Sequence, residues 1–542
     1  VVFEDRGDLE VTHQLRKPVI LRVAIWIAAA ALTLTIAAAS PLPPCDNAAS
    51  LAESQSTDKA FRDARKEMKR GNYDKAAKIY EGLVVLDPSD LQARLGASFA
   101  YLKLGNYVRC YDEAQEALKQ NPKSARAHSL ASVALLRSGY IRHAVAELQT
   151  ALTIDRKEAL AFGCAAEIDY YEGRVRDARE KSLYAHNLDP DEPDFLITYA
   201  RASSRAEDFK EAADAYELFL QVAPRSDHER LERIRGLIQF YRQLSGIQVH
   251  QVSGAETAEA PFALGSDRRP YIKVKINGRE GTFVIDTGSG FTVISKEAAR
   301  KFGVSEIARG GKSQGVGGSG KFQIVYGLIR SLDIGEARLR MIPCFIRSFH
   351  TSLERPANER ADGFLGLSIL SHYTTELDYK DGVLRLNRGD ERPFPVAGTG
   401  VTVIPFRTTQ NGLISVETEF DGNNTINAIL DSGASSTVIS VAAVERLKLR
   451  DQIIKGQTAN VIGAAGVTEN VQLLFIRNCR VANLEQNNLR ALVLDFNAIN
   501  ETSGFEQSGI LGGDFLRHFK VTIDFNRALL ALQRHSEPPL PQ

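Results

Sequence analysis

Two segments, Phe283-Val284-Ile285-Asp286-Thr287-Gly288-Ser289 and Ala428-Ile429-Leu430-Asp431-Ser432-Gly433-Ala434, place their Asp residues 145 positions apart. Each is followed by the same Thr-Val-Ile-Ser, at Thr292 to Ser295 and at Thr437 to Ser440. The register holds downstream: Gly317 lies 31 positions after Asp286, and Gly463 lies 32 after Asp431. The glycines of Phe364-Leu365-Gly366 and Ile510-Leu511-Gly512 follow at 80 and 81, and Asp378 and Asp524 at 92 and 93. One inserted residue accounts for every difference. The C-terminal half is therefore one fold used twice, and a reaction that needs two facing carboxylates is the first chemistry to test.

The local pattern around both triplets is β. Tyr271 to Ile276 alternates and runs into Asn277-Gly278, and Leu413 to Phe420 runs into Asp421-Gly422, so each copy opens with a strand and a hairpin turn. Short helices are expected after each Thr-Val-Ile-Ser, at Lys296 to Phe302 and Val441 to Leu447.

Upstream the periodicity is helical. Gly71, Gly105, Gly139 and Gly173 recur every 34 residues, with Glu207 in the fifth copy. Pro88, Pro122, Pro190 and Pro224 keep the period, with Arg156 breaking the series, and so do Ala76, Cys110, Ala144, Ala178 and Ala212. This is the period and residue pattern of tetratricopeptide repeats. Glycine frees the turn, alanine lets two helices approach, and proline ends the second. Five hairpins form a curved solenoid, with Asp227 to Leu244 as the capping helix. Such a solenoid is either a spacer or a groove for a protein partner.

The division expected along the chain is an N-terminal export signal or membrane anchor (1–45), tetratricopeptide repeats with a cap (57–245), a linker (246–268), and two β lobes (269–390 and 410–534). Arg16, Lys17 and Arg22 precede the apolar run Val23 to Ala39, which ends Ala-Ala-Ala before a proline-rich stretch. That order describes an export signal, with an uncleaved anchor as the alternative, and places the rest of the chain outside the cytoplasm. Lys plus Arg balances Asp plus Glu at 67 each, so no bulk charge draws the chain to nucleic acid. The five cysteines are scattered without paired spacing, and neither a disulfide framework nor a zinc site is read from them. No metal and no cofactor is expected.

Peptide hydrolysis without a metal or a covalent nucleophile needs a base to activate water and an acid to protonate the carbonyl oxygen. Two close carboxyls supply both, because like charges resist joint ionisation and one stays protonated. An Asp at a strand tip, followed by a hydroxyl residue and Gly, suits this: Gly288 and Gly433 permit close approach, and Thr287 or Ser432 can lock loop to loop. On these residues the chain resembles the aspartic protease clan, and specifically retropepsin-like bacterial aspartyl proteases. The resemblance covers roughly Pro270 to Leu532. It implies catalytic Asp286 and Asp431, structural glycines Gly366 and Gly512, and all-β lobes paired about a two-fold axis as an intramolecular pseudo-dimer.

The implied activity is that of an aspartic-type endopeptidase acting on polypeptides. The competing reading is a non-catalytic peptide-binding scaffold. Ser289 is expected to hydrogen-bond Asp286 and make it the readier base, which Ala434 cannot do for Asp431. Tyr326 is the nearest residue to a substrate-covering flap tyrosine. Gly315 to Lys321 nearly spells a phosphate loop, but Phe322 replaces its Ser or Thr and a strand follows instead of a helix, so a hairpin tip is expected.

Overall fold

The left-handed backbone needed to leave each repeat's first helix explains the spacing of the glycines. Gly71, Gly105, Gly139 and Gly173 take φ of 77°, 72°, 81° and 78°, and Glu207 adopts 60° at the same turn despite its side chain. Between these turns run the paired helices Tyr73–Leu86, Leu91–Lys103, Tyr107–Gln120, Ala125–Arg137, Ile141–Ile154, Ala159–Tyr171, Val175–Leu188, Asp194–Arg205 and Phe209–Val222, preceded by Asn47–Arg70 and capped by His228–Leu244. Ala76, Cys110, Ala144, Ala178 and Ala212 are fully buried, as close helix contact requires.

The chain is seen here as a computed structural model that describes residues 47–314, 321–348, 360–389, 393–398, 400–422, 425–463 and 466–535. The expected export segment at 1–45 lies outside the described residues, as do most of the glycine-rich tip at 315–320 and the last residues of the chain. Among the described residues no helix is long and apolar enough to cross a membrane.

Both lobes use one strand order. In lobe 1 it is Pro270–Ile276, Arg279–Ile285, Gly363–Leu365, Thr292–Ser295, Ala337–Arg347, Lys321–Ile334 and Ser305–Gln314. In lobe 2 it is Ile414–Phe420, Thr425–Leu430, Gly509–Leu511, Val438–Ser440, Leu484–Leu494, Gly466–Val481 and Ile453–Gly463. Even the side pairing of the first strand with the sixth recurs, Ile276 to Leu332 and Phe420 to Cys479. The turn residues Asn277 and Gly278 have φ of 49° and 81°, which fits a hairpin turn that matches the strand twist. Lys296–Phe302 and Val441–Arg446 are helices, each capped by the preceding serine.

The lobes join through an antiparallel sheet to which both contribute. Its order is Val401–Pro405, Leu529–Arg534, Phe519–Asp524, Thr374–Asp378, Val383–Asn387 and Thr257–Leu264, three strands from each lobe. Lobe meets lobe where Leu377 pairs with Val521. Two boundaries read from the sequence change as a result. The stretch 246–268 is not a linker, because Gln251–Gly254 and Thr257–Leu264 are paired strands, and lobe 2 starts its pairing at Val401–Pro405, before residue 410. The reason is that Ala258, Ala260 and Phe262 point inward between exposed Glu259, Pro261 and Ala263, so small residues carry a period-two pattern that composition hides.

Candidate active site

The parallel strand pairs Arg279–Ile285 with Gly363–Leu365 and Thr425–Leu430 with Gly509–Leu511 deliver the two aspartates to the mid-line between the lobes. Asp286 N donates to Leu365 O and Asp431 N to Leu511 O, each at 3.0 Å. Gly366 and Gly512 leave room behind these loops: a Cβ at either would stand 2.4 Å from the carbonyl of Phe291 or of Ser436. Their φ of −90° and −92° is open to any residue, so space rather than conformation demands glycine.

The loops then interlock. Thr287 N donates to Ser432 Oγ at 3.0 Å and Ser432 N to Thr287 Oγ1 at 2.9 Å. The two hydroxyls donate onward across the interface, Thr287 Oγ1 to Leu430 O and Ser432 Oγ to Ile285 O, both at 2.8 Å. Thr287 and Ser432 are almost wholly buried, so each loop is fixed by groups of the other.

This lock crosses the carboxyls over the opposing glycines. A Cβ on Gly288 would lie 2.2 Å from Asp431 Cγ, and one on Gly433 would lie 2.4 Å from Asp286 Oδ1. The crossing brings the two carboxyls together, so that each one's protonation depends on the other's. Burial pushes Asp286 well above the usual carboxylate range, and the neighbouring Asp431 carboxyl pushes it further. Burial raises Asp431 as well, but Asp286 and the Gly433 and Ala434 amides pull it back. With one amide donor on Asp286 and two on Asp431, the ionised form is better supported on Asp431.

That assignment reverses the expectation drawn from Ser289. Its hydroxyl turns away and donates to Phe291 O at 2.7 Å, leaving Asp286 only the Gly288 amide at 3.0 Å. On the other side, Gly433 N and Ala434 N both donate to Asp431 Oδ1, at 2.8 and 3.0 Å. Backbone amides, not the residue that distinguishes the two motifs, give the Asp431 carboxylate the stronger support.

Three charged residues in the wall around the pair were not among those singled out from the sequence. Arg269, bound to Asp267 Oδ2 at 2.6 Å, draws both carboxyls of the pair downward by its charge. Arg347 feels the Asp286 charge from the cavity wall. Asp514 accepts from Thr437 N and Thr437 Oγ1 at 2.8 and 2.7 Å, where lobe 1 uses Ser368 Oγ to hold Thr292 N at 3.0 Å. The Ser-to-Asp difference is visible in the aligned copies, but its partner is not.

Comparison with known proteins meets this geometry. Residues 272–369 and 416–515 each match the family described as aspartyl protease, and residues 67–133 match the tetratricopeptide repeat family. The chain carries two aspartyl protease lobes behind a tetratricopeptide solenoid. Among solved structures, the aspartic proteinase from Irpex lacteus is 13% identical over 52% of this chain and 98% of its own, with a TM-score of 0.35. A thermophilic tetratricopeptide repeat protein of Thermus thermophilus is 21% identical over 34% of this chain and 98% of its own, with a TM-score of 0.29. No curated protein matches the sequence.

The solenoid and the protease lobes together line an open cavity of about 1650 Å³. Asp286 and Asp431 lie in its wall together with Phe99, Arg137, Glu167 and Arg201 from the inner helices of the repeats. Lobe 2 is held to the solenoid by its body. Phe505 inserts into the repeat core 5.1 Å from Tyr171, and Arg137 donates to Gly504 O at 2.7 Å. Asn427 Nδ2 donates to Gly139 O at 3.1 Å, and Tyr170 hydroxyl to Gln410 O at 3.1 Å.

Lobe 1 is held by its flap, the hairpin of Ser305–Gln314 and Lys321–Ile334. Tyr326 stacks on Phe240 of the capping helix with ring centres 4.1 Å apart. It is buried in that contact and serves as an anchor for the hairpin, which corrects its reading as a substrate-covering residue. Gly236 and Gly310 touch backbone to backbone, since a Cβ on Gly236 would lie 2.2 Å from Gly310 Cα.

Proposed function

We propose that the chain is an aspartic endopeptidase in which Asp431 acts as base and Asp286 as acid on one water held between them. The observation that carries this reading is the crossing of the two carboxyls over Gly433 and Gly288. Asp431 takes a proton from water, the resulting nucleophile attacks the peptide carbonyl carbon, and Asp286 gives its proton to the carbonyl oxygen. Collapse of the tetrahedral species returns a proton to the leaving nitrogen and restores the single-proton pair. Buried, locked loops suit this work because the acid and base are held in place before substrate arrives.

The substrate is an extended or unfolded polypeptide. Support comes from the shared cavity, in which the pair lies opposite residues of the inner repeat helices such as Phe99 and Arg201. We assign the solenoid the role of taking up the polypeptide ahead of the cleft. The basic and then apolar stretch from Arg16 to Ala39 supports action outside the cytoplasm, either released or anchored.

The test is digestion of a reduced, unfolded protein by the full chain, read by mass spectrometry for internal cuts. Wild type is expected to cut, and Asp286→Asn and Asp431→Asn are each expected to lose about a thousandfold in kcat/KM. Binding of the polypeptide without cutting by wild type would assign the lobes a scaffold role instead.

A further inference from the structure

A second cluster of chemistry-bearing side chains lies where the solenoid meets lobe 1, away from the residues that line the catalytic cavity. Glu207 comes from the turn between the helices Asp194–Arg205 and Phe209–Val222, His250 from the segment before the strand Gln251–Gly254, and His372 from the turn after the short helix Leu367–Leu370. One ligand atom from each lies within 4.8 Å of the others. His250 Nδ1 stands 2.8 Å from Glu207 Oε1, and the two imidazole rings are 4.5 Å apart at an angle of 36°.

Backbone strain converges on this point. Glu207 and His250 hold φ of 60° and 47°, the left-handed region that costs an ordinary side chain about 1–2 kcal/mol. Four other repeats use glycine at the Glu207 turn, so the solenoid itself does not need a carboxylate there. Strained residues of this kind persist where the surroundings overdetermine them, as in ligand clamps.

Hydrogen bonding leaves coordination capacity in place. His250 Nε2 is buried and has no hydrogen-bond partner among the described residues. The His372 ring lies beside that of His250, so both imidazoles face the Glu207 carboxylate within the same few ångströms. Glu207 is 39% exposed at the side chain, which gives an ion a way in.

We propose that Glu207, His250 and His372 form a site for a zinc-class divalent cation that staples the repeat solenoid to protease lobe 1. Two imidazoles and one carboxylate suit zinc, with water completing a tetrahedron, and suit magnesium poorly because that ion demands oxygen ligands. The ion would tie together three segments distant in sequence and thereby hold the solenoid's inner wall over the catalytic cavity. It would take no part in the reaction at Asp286 and Asp431. The expectation of no metal drawn from cysteine spacing missed the cluster because its members are single residues on three separate turns.

The experiment strips the full chain with a chelator and titrates it with zinc chloride by calorimetry, with magnesium chloride as a control. Wild type is expected to take up one zinc per chain, with its melting temperature raised on loading, and no magnesium. Glu207→Gly restores the residue of the other repeats and so keeps the fold, yet it should weaken zinc binding by at least about tenfold, as should His372→Ala. A hydrogen-bonded cluster without metal, seen as no saturable zinc uptake by wild type, overturns the proposal. So does uptake that is unchanged in both variants.

Discussion

The two protease lobes follow the same path through seven strands in the same order, yet the solenoid grips them at different places. Lobe 2 is docked through its body, with Phe505 in the repeat core, and the tip of its own flap keeps Ile462 and Val467 about half exposed, at 53% and 49%. Lobe 1 is docked through its flap, where Tyr326 lies buried against Phe240. Duplication has preserved what both carboxyls need, namely the crossed loops, the paired glycines and the reciprocal Thr287 and Ser432 lock. The surfaces that meet the solenoid have diverged. The lesson is that symmetry here belongs to the loops that carry the two carboxyls, and asymmetry to the surfaces that meet the solenoid: the hairpin of lobe 1 is packed on the capping helix through Tyr326, and that of lobe 2 keeps Ile462 and Val467 half exposed.

The largest effect should test the symmetric part. Gly288→Ala and Gly433→Ala each put a methyl within 2.4 Å of the opposing carboxyl, so the loops must separate and activity should fall at least about a hundredfold in both. Steady-state kinetics that found one variant near wild type would break the symmetry at the centre. A smaller effect tests the asymmetric part. Phe240→Ala removes a wholly buried ring from the flap contact and should cost about 3 kcal/mol in a denaturant titration. Its hydrogen exchange should quicken across 321–334 and remain unchanged across 453–481. Equal quickening in both flaps would show that the solenoid holds them alike.

Much of this architecture could be read from the residues alone. The 34-residue period located the helix hairpins because each turn needs a left-handed residue and each helix contact needs a small one. The repeated Asp triplets located the twofold relation because every later landmark moved by the same single residue. The strand Thr257–Leu264 escaped because alanine carries its alternation and its Ser-, Gly- and Glu-containing surroundings resemble a connector. The unequal support of the two carboxyls escaped because it depends on which amides aim at which oxygen, and Ser289 donates to the Phe291 carbonyl instead. Glu207 stood out as a break in the glycine series, but its partners His250 and His372 become neighbours only when the chain folds.

The measurement that bears most directly on the shared-proton pair is the pH dependence of kcat/KM for the full chain on an unfolded polypeptide. Asp431 must be ionised and Asp286 protonated, and both are raised above the ordinary aspartate value of about 3.9, Asp286 the further. The rate should climb as pH rises through the Asp431 value and fall as pH rises further through the Asp286 value, with both limbs above the ordinary value. A rate that only climbs with pH, or a falling limb that persists in an active Asp286→Asn variant, would contradict it.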